Sequence, residues 1–254
     1  TGYLDALTLD DIVLCRQMLE SASAKTRTDA QRSRVRGLLD AFDASETTFL
    51  FHRLQKGDRP PAEVLTALLK DDIPESLRRK TKGLLDVFQG RAALVSRNPS
   101  LESGVDKPSN WTLWIKPLGD PPYGEIEWTE SSGTRPGKMC LRVKGLKRGG
   151  PVQAIPVKPG RYVMRLSYMI PEGQRRQVIE MNVTLKDNKG KGFRTDTVTM
   201  ESVPGQWQIA SRCFDVPKTI SNRPVASIQF AVVTNSMRVE EEIYYDDIGI
   251  YRLP

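Results

Sequence analysis

The apolar pattern of this chain changes period near residue 97, and that change demands two differently built halves. Up to residue 96, apolar side chains recur every three or four positions: Ile12, Cys15, Leu19 and Ala22, then Val35, Leu38, Phe42 and Phe49. That spacing gathers side chains along one side of an α-helix. After Arg97 the period falls to two. Tyr162, Met164, Leu166, Tyr168 and Ile170 alternate with Val163, Arg165, Ser167 and Met169; Ile179, Met181, Val183 and Leu185 alternate with Glu180, Asn182 and Thr184. Period two sends successive side chains to opposite faces of a sheet. In 254 residues this predicts an α + β chain of two domains, helical over 1–96 and strand-rich over 97–254.

Punctuation sharpens both halves. One helix is expected to begin after Thr8. Thr28-Asp-Ala-Gln31 forms a capping box for a second, and Pro60-Pro61 and Pro74-Glu75 open a third and fourth. Arg36-Gly-Leu-Leu-Asp-Ala-Phe42 is echoed by Lys82-Gly-Leu-Leu-Asp-Val-Phe88, which predicts two αα-hairpins packed as a four-helix unit. Strands are expected at 125–129, 139–144, 152–157, 162–170, 179–185, 195–200, 207–214, 226–233 and 243–252. Pro-Gly and Asp-Asn turns punctuate them, as at Lys158-Pro-Gly160, Pro171-Glu-Gly173, Asp187-Asn188 and Pro204-Gly205. Short strands in such number with little helix between them predict an antiparallel β-sandwich.

The last strand carries a problem. Strict alternation in Ile243-Tyr-Tyr-Asp-Asp-Ile-Gly-Ile-Tyr251 puts Asp246 on the same face as Ile248 and Ile250. A carboxylate among apolar side chains requires a cation or several donors.

Other features narrow the function. Cys15, Cys140 and Cys213 lack metal-ligand spacing and are expected to be buried free thiols, with a Cys140–Cys213 pair the lesser alternative. The single histidine, His52, excludes multi-histidine metal sites and falls in the helical half, expected on a helix surface. No apolar run approaches the ~20 residues that span a bilayer, so no membrane partner is expected. No Lys/Arg-rich helix or aromatic nucleic-acid motif is present, so no nucleic-acid partner is expected either. The chain does not begin with Met and its start does not read as a signal peptide; it is expected to be a processed product or a piece of a longer protein. Residues 97–254 hold 23 Lys+Arg against 17 Asp+Glu, which tilts the expected partner toward an anionic one.

The order of features over 97–254 resembles the jelly-roll carbohydrate-binding modules of families four, nine, sixteen and twenty-two, which accompany xylanases, cellulases and related glycanases. The features are Asn98-Pro-Ser-Leu-Glu102, Trp111, Gly137-Lys-Met-Cys-Leu-Arg-Val143, Gln153 with Val157-Lys-Pro-Gly-Arg-Tyr162, Gly205-Gln-Trp207 and Tyr245-Asp-Asp-Ile248. The helical half is similar to the region behind the catalytic barrel in large uncharacterised bacterial proteins akin to α-glucuronidases. The resemblance implies a structural calcium held by Glu102 and Asp246, with the Lys138 carbonyl contributing; calcium accepts six to eight oxygens in flexible geometry. It also implies a polysaccharide or oligosaccharide ligand bound by stacking on Trp111, Trp114, Tyr123 and Trp128 and by polar contacts from Gln153, Arg165 and Asn182, with Trp207 left to the core.

The implied protein is a non-catalytic accessory region of a secreted or cell-surface bacterial glycoside hydrolase, partnered with its parent catalytic domain and tilted toward acidic glycans. The alternative is a buttress that has no sugar binding of its own, which gains if Trp111, Trp114 and Trp128 are all buried. An enzymatic sandwich would need Tyr or Lys as its base, since His52 lies in the other half.

Overall fold

Residues 9–25, 28–31, 34–35, 38, 60–131, 137–175, 177–201, 204–205 and 207–254 are described by the computed structural model, with backbone alone for 9–12 and 194–201. They divide into two units, Thr1–Gly90 and Arg91–Pro254.

In the first unit, α1 spans Leu9–Ala24, α2 Pro61–Leu68 and α3 Glu75–Phe88. Proline starts both later helices, as expected: Pro60 precedes α2, Pro61 opens it, and Pro74 precedes α3. Fixed φ, and the lack of an N–H that the first turn would leave without an intrahelical partner, make proline suited to that end. Leu65 and Leu68 of α2 and Leu77, Leu84 and Leu85 of α3 are buried. Arg78 ties the connection by donating to the carbonyls of Leu69 (3.0 Å) and Asp71 (3.2 Å). The capping box closes in both directions: the Gln31 amide donates to Thr28 Oγ1 and the Thr28 amide to Gln31 Oε1, each at 3.2 Å. Of the stripe expected to bury one side of α1, Cys15 and Ala22 are exposed and Leu19 is half-buried. The rest of the expected second helix, with His52 and most of the first repeat copy, lies outside the described residues, so a four-helix unit is not established.

The second unit is two antiparallel sheets. The named strands are β1 (Ala93–Leu94), β2 (Thr112–Ile115), β3 (Glu125–Glu130), β4 (Met139–Lys144), β5 (Arg148–Pro156), β6 (Gly160–Met169) and β7 (Val178–Lys186). They continue with β8 (Gly192–Glu201), β9 (Trp207–Val216), β10 (Thr219–Ile220), β11 (Arg223–Pro224), β12 (Ser227–Asn235) and β13 (Glu242–Arg252). One sheet runs β3-β4-β13-β6-β9, with β1 also on β13; the other runs β2-β5-β12-β7-β8; β10 and β11 pair alone. All nine expected strands are present. Residues 91–96, assigned by pattern to the helical half, belong here: Ala93 and Leu94 pair with Arg252 and Tyr251, and the Ile250 amide donates to Ser96 Oγ at 3.0 Å. The junction therefore lies at Gly90 rather than 96.

Inward rows from both sheets make the core: Leu141, Tyr162, Met164, Leu166, Tyr168 and Tyr245 from one, Ile155, Ile179, Met181, Val183, Ile228 and Phe230 from the other. Thr234 of β12 and Tyr245 of β13 share a buried hydrogen bond between their hydroxyls, so the two sheets are joined by a polar link as well as by packing. All three cysteines are free, Cys140 buried and Cys213 half-buried.

Burial raises the Glu241 carboxyl, but donors from Arg175, the Arg238 amide and Gln177, together with the Arg175 charge, outweigh it and hold the carboxyl below its ordinary value. Arg175 also donates to Glu241 Oε2 at 3.1 Å and to the Ser236 carbonyl at 2.8 Å, tying residue 175 to the 236–241 turn.

Two outcomes are expected. Phe230→Ala, at a fully buried site facing Trp111, lowers unfolding stability by about 3–5 kcal/mol, read as a shifted urea midpoint at unchanged slope. A depressed folded-state carboxyl stabilises above its unfolded pKa, about 4.3, and loses that contribution as pH falls through the folded value. Arg175→Ala therefore melts below the wild type at pH 7, and the gap closes in acid; a gap of equal size at both pH values contradicts the assignment.

Candidate functional site

The Asp246 problem is resolved by the backbone. Tyr245 and Asp246 of β13 oppose Tyr168 and Ser167 of β6, but beyond them Gly249 opposes Arg165, so one extra residue has entered β13. Asp247 sits at φ 45, a conformation aspartate tolerates better than most side chains. The bulge resets the alternation. Ile243, Tyr245, Ile248 and Ile250 are all 0% exposed in the core, and Asp246 does not share their face, contrary to the strict period-two reading.

Asp246 is 2% exposed and approaches Glu102 around Gly137. A Cβ added to Gly137 (φ +137) would lie 3.0 Å from Glu102 Oε1 and 3.6 Å from Asp246 Oδ2, so both carboxylates reach within 3.6 Å of one point. Glu102 Oε1 accepts the amides of Lys138 (2.8 Å) and Met139 (3.1 Å), and Asp246 Oδ1 accepts that of Asp247 (2.6 Å). The Lys138 carbonyl, expected as a metal ligand, accepts the Ser131 amide at 2.8 Å; Lys138 serves the cluster through its N–H. Burial first, then Asp246, pushes the Cys140 thiol up to about 11; Glu102 adds to this, and a Ser131 hydrogen bond opposes it. Among the described residues no three His, Cys, Asp or Glu side chains form a metal-binding group. The donors are hard: two carboxylates around a point that a glycine leaves open. They fit calcium better than zinc.

Several residues expected to bind ligand instead build the loop that carries Glu102. Trp111 is 3% exposed, packs edge-on to Phe230 and donates Nε1–H to the Asn98 carbonyl at 3.0 Å. Trp128 donates Nε1–H to the Leu101 carbonyl at 2.8 Å. Gln153, 5% exposed, donates to the carbonyls of Arg97 (2.9 Å) and Asn110 (3.1 Å) and accepts the Arg97 amide (2.8 Å). Asn98 donates to the carbonyls of Ser103 and Ser109 and accepts the Ser103 amide. The Ile248 amide reaches the Pro99 carbonyl at 2.8 Å, fastening the same loop to β13. Trp111 and Gln153 are thus core residues, and Trp128 is a half-buried brace.

The remaining expected ligand residues do not converge. Arg165 is on the outer face of the β13 sheet, where its Nη2 lies 3.6 Å from Asp247 Oδ2. Burial raises the nearby Tyr251 hydroxyl, and Arg165 opposes that. Trp207, expected in the core, is half-buried and opposes Met169 on that outer row. Tyr123 is half-buried in the loop before β3, its carbonyl accepting the Lys147 amide. Asn182 and Trp114 belong to the other sheet. Register places them on its outer face with Val152, Ala154, Gln229, Ala231 and Thr184: Trp114 opposes Gly150, Ala231 opposes Val152 and Asn182, and Gln229 opposes Ala154 and Thr184. Glu180 completes the polar part, accepting Asn235 Nδ2 at 3.1 Å and Asn182 Nδ2 at 3.4 Å. Asn235 was not legible as a site residue, because only the β7–β12 pairing brings it beside Glu180.

No protein-family model matches the chain, and no curated protein matches it either. It is similar in structure to the CBM22-1 xylan-binding domain of Paenibacillus barcinonensis Xyn10C (14% identity, 61% of this chain, 91% of that one, TM-score 0.45). It is also similar to TmCBM61, solved with β-1,4-galactotriose (16% identity, 63% and 98%, TM-score 0.42). A third likeness is to the enzymatically active domain of bacteriophage CBA120 tailspike protein 4, of which the chain covers 21% (13% identity, TM-score 0.47).

Glu102→Ala deprives the Lys138 and Met139 amides of their acceptor. Both are expected to exchange hydrogen roughly fivefold to tenfold faster, at about 1 kcal/mol per hydrogen bond, while Leu141 in the centre of β4 stays protected. Unchanged exchange at 138 and 139 would show that Glu102 does not hold this segment.

Proposed function

We propose that Arg91–Pro254 is a non-catalytic carbohydrate-binding unit of a secreted, glycoside-hydrolase-type protein, with calcium as a structural ion between Glu102 and Asp246. The observation that carries the sugar reading is the outer face of the β2-β5-β12-β7-β8 sheet. Neutral amides and hydroxyls at strand spacing (Asn182, Thr184, Gln229 and Asn235) share it with small Val152, Ala154 and Ala231, with Trp114 toward the β2 edge. A polysaccharide offers the matching chemistry: hydroxyls in a repeating row, and apolar ring faces that suit an indole. The motif order in the sequence supports the same reading.

Calcium suits the carboxylate pair because the ion accepts irregular oxygen shells. Glu102 and Asp246 would hold it between the 97–111 loop and β13, and its chemistry there would be structural rather than catalytic. The second reading, a buttress without sugar binding, has its own support: Trp111, Trp128 and Gln153 spend their polar groups inside the fold. Trp114 and Trp128 are half-buried rather than buried, so the condition that favours the buttress is met only at Trp111.

Affinity gels with neutral plant polysaccharides are expected to retard the chain, and Asn182→Ala or Trp114→Ala to weaken that retardation; mobility unaffected by every polysaccharide tried favours the buttress. For the ion, calcium at a hundredfold excess over its dissociation constant adds about 2.7 kcal/mol of stability. A chelator should lower the melting temperature of the wild type and leave Asp246→Asn unmoved; a wild-type curve indifferent to chelator removes calcium from the proposal.

A further inference from the structure

Most of the surplus positive charge of residues 97–254 is gathered at one end of that same face, and we infer that this end is a cationic cap that takes the acidic groups, carboxylate or sulfate, of a glycan lying on the face. This rests on the carbohydrate-binding reading above and names the class of sugar the face takes.

Three loops meet at this end. The Val157 amide donates to the Ala226 carbonyl (3.2 Å), the Ala226 amide to the Lys186 carbonyl (2.9 Å) and the Val225 amide to the Lys218 carbonyl (3.2 Å). Residues 157–160, 186–193 and 217–227 are thereby one surface. They contain Lys158, Lys186, Lys189, Lys191, Lys218 and Arg223 but a single acid, Asp187. Their net charge of +5 is nearly the whole surplus of residues 97–254, where 23 Lys+Arg stand against 17 Asp+Glu. On β8, Arg194 and Asp196 follow, opposite Leu185 and Val183; being one of each sign, they leave the surplus unchanged.

Asp187 does not offset the lysines. It is 5% exposed; its Oδ1 accepts the amides of Lys189 and Lys191, each at 2.9 Å, and its Oδ2 lies 3.6 Å from Arg223 Nη1. Its charge is matched by Arg223, and its hydrogen bonds fix the backbone that presents two of the lysines. Lys158, Lys189, Lys191 and Lys218 are exposed and Lys186 is half-buried; among the described residues none of the five has a carboxylate partner.

The cap continues the face. Lys186 and Pro156 oppose Ser227 from its two sides, one outward row beyond Thr184, Gln229 and Ala154. Such rows are about 7 Å apart, and Pro156 and Lys186, with β12 between them, are roughly 10 Å apart. The fields of neighbouring lysines therefore overlap within the Debye length of physiological salt, about 8 Å. A glycan chain running along the strands meets these lysines as it leaves the amides and hydroxyls. Lysine is a compact charge on a flexible stem, with no planar fork to satisfy, so it suits an acidic group whose position along the chain varies. A nucleic acid is a poorer match. The one aromatic residue in these loops, Phe193, has the Arg223 guanidinium 5.7 Å from its ring centroid, and base stacking needs an open ring.

Affinity electrophoresis of the whole chain tests this in gels of unsubstituted xylan, glucuronoxylan, xylan sulfate and polyglutamate. Opposite unit charges about 4 Å apart in water are worth roughly fivefold in affinity. At low salt the wild type is expected to be held about fivefold or more tightly by glucuronoxylan, xylan sulfate or both than by unsubstituted xylan, and the preference should shrink as salt is raised. Whichever acidic xylan is preferred identifies the group as carboxylate or sulfate. Lys186→Gln, Lys189→Gln and Lys191→Gln together should abolish the preference and leave the hold on unsubstituted xylan. Lys25→Gln, Lys70→Gln and Lys107→Gln, which remove the same charge at three exposed lysines elsewhere, should keep it; thermal melts establish that both variants are folded. Equal retention of the wild type by all three xylans, or a preference that the cap variant keeps or the control variant loses equally, overturns the cap and leaves sugar binding standing. Polyglutamate that holds the wild type as tightly as the acidic xylans overturns the assignment to a glycan. Retention by the acidic xylans alone, lost in the cap variant, upholds the cap and overturns the neutral face. A wild type unretarded in every gel overturns the binding reading and this inference with it.

Discussion

The strand unit depends on how β13 is held. It has β4 and β6 on its two sides, takes β1 at its end, and supplies four core residues, Ile243, Tyr245, Ile248 and Ile250. A strand in that position cannot place a carboxylate where an isoleucine belongs. The one-residue bulge at Asp246–Asp247 separates the two demands: apolar side chains on both sides of it face the core, and Asp246 faces Glu102. Left-handed backbone at Asp247 costs roughly 1 kcal/mol for a non-glycine residue. Two fully buried isoleucines outweigh it, each contributing about 1.5–3 kcal/mol.

The opening loop is built to meet that bulge. A chain segment without regular structure needs partners for its backbone groups. Here they are side chains: Asn98, Trp111, Trp128 and Gln153 supply hydrogen bonds to residues 97–110, and the Pro99 carbonyl takes the Ile248 amide. Glu102 is thereby delivered to the amides of Lys138 and Met139. Its approach to Asp246 is a property of the fold before any cation is considered. An ion between the two carboxylates would relieve their repulsion and add stability to a junction already formed.

Local pattern and long-range pairing differ in how far the sequence shows them. Alternation locates all nine long strands, because that signal is contained within a few residues, whereas the carboxylate pair follows from the resemblance that the Asn98–Glu102 and Tyr245–Ile248 segments help to carry. The bulge was invisible to strict alternation, since an inserted residue leaves no gap in the apolar run and only reverses its phase. The roles of Trp111 and Gln153 were misread for a related reason. An aromatic ring or an amide has the same identity whether it faces a ligand or a backbone carbonyl, and only the fold shows which groups it meets. Arg165 and Asn182 each alternate with core residues as expected, yet they occupy outer faces of different sheets, and a single strand cannot announce which sheet it joins.

Net charge is likewise a poor guide to what one face of the fold meets. The basic excess of residues 97–254 is a sum over loops, sheet margins and paired side chains. Arg142 is within 3.2 Å of Glu125 and Glu127, and Arg223 faces Asp187 at 3.6 Å, so neither is an open cationic site. A ligand bound on a sheet face meets the few groups within hydrogen-bonding reach, and beyond about 8 Å physiological salt removes most of the influence of the others. On the β7–β12 face the described groups include the amides of Asn182, Gln229 and Asn235, the Thr184 hydroxyl and the Glu180 carboxylate, with Arg148 opposite Asn235. It is these neighbours, rather than the charge of the chain as a whole, that a bound sugar would encounter.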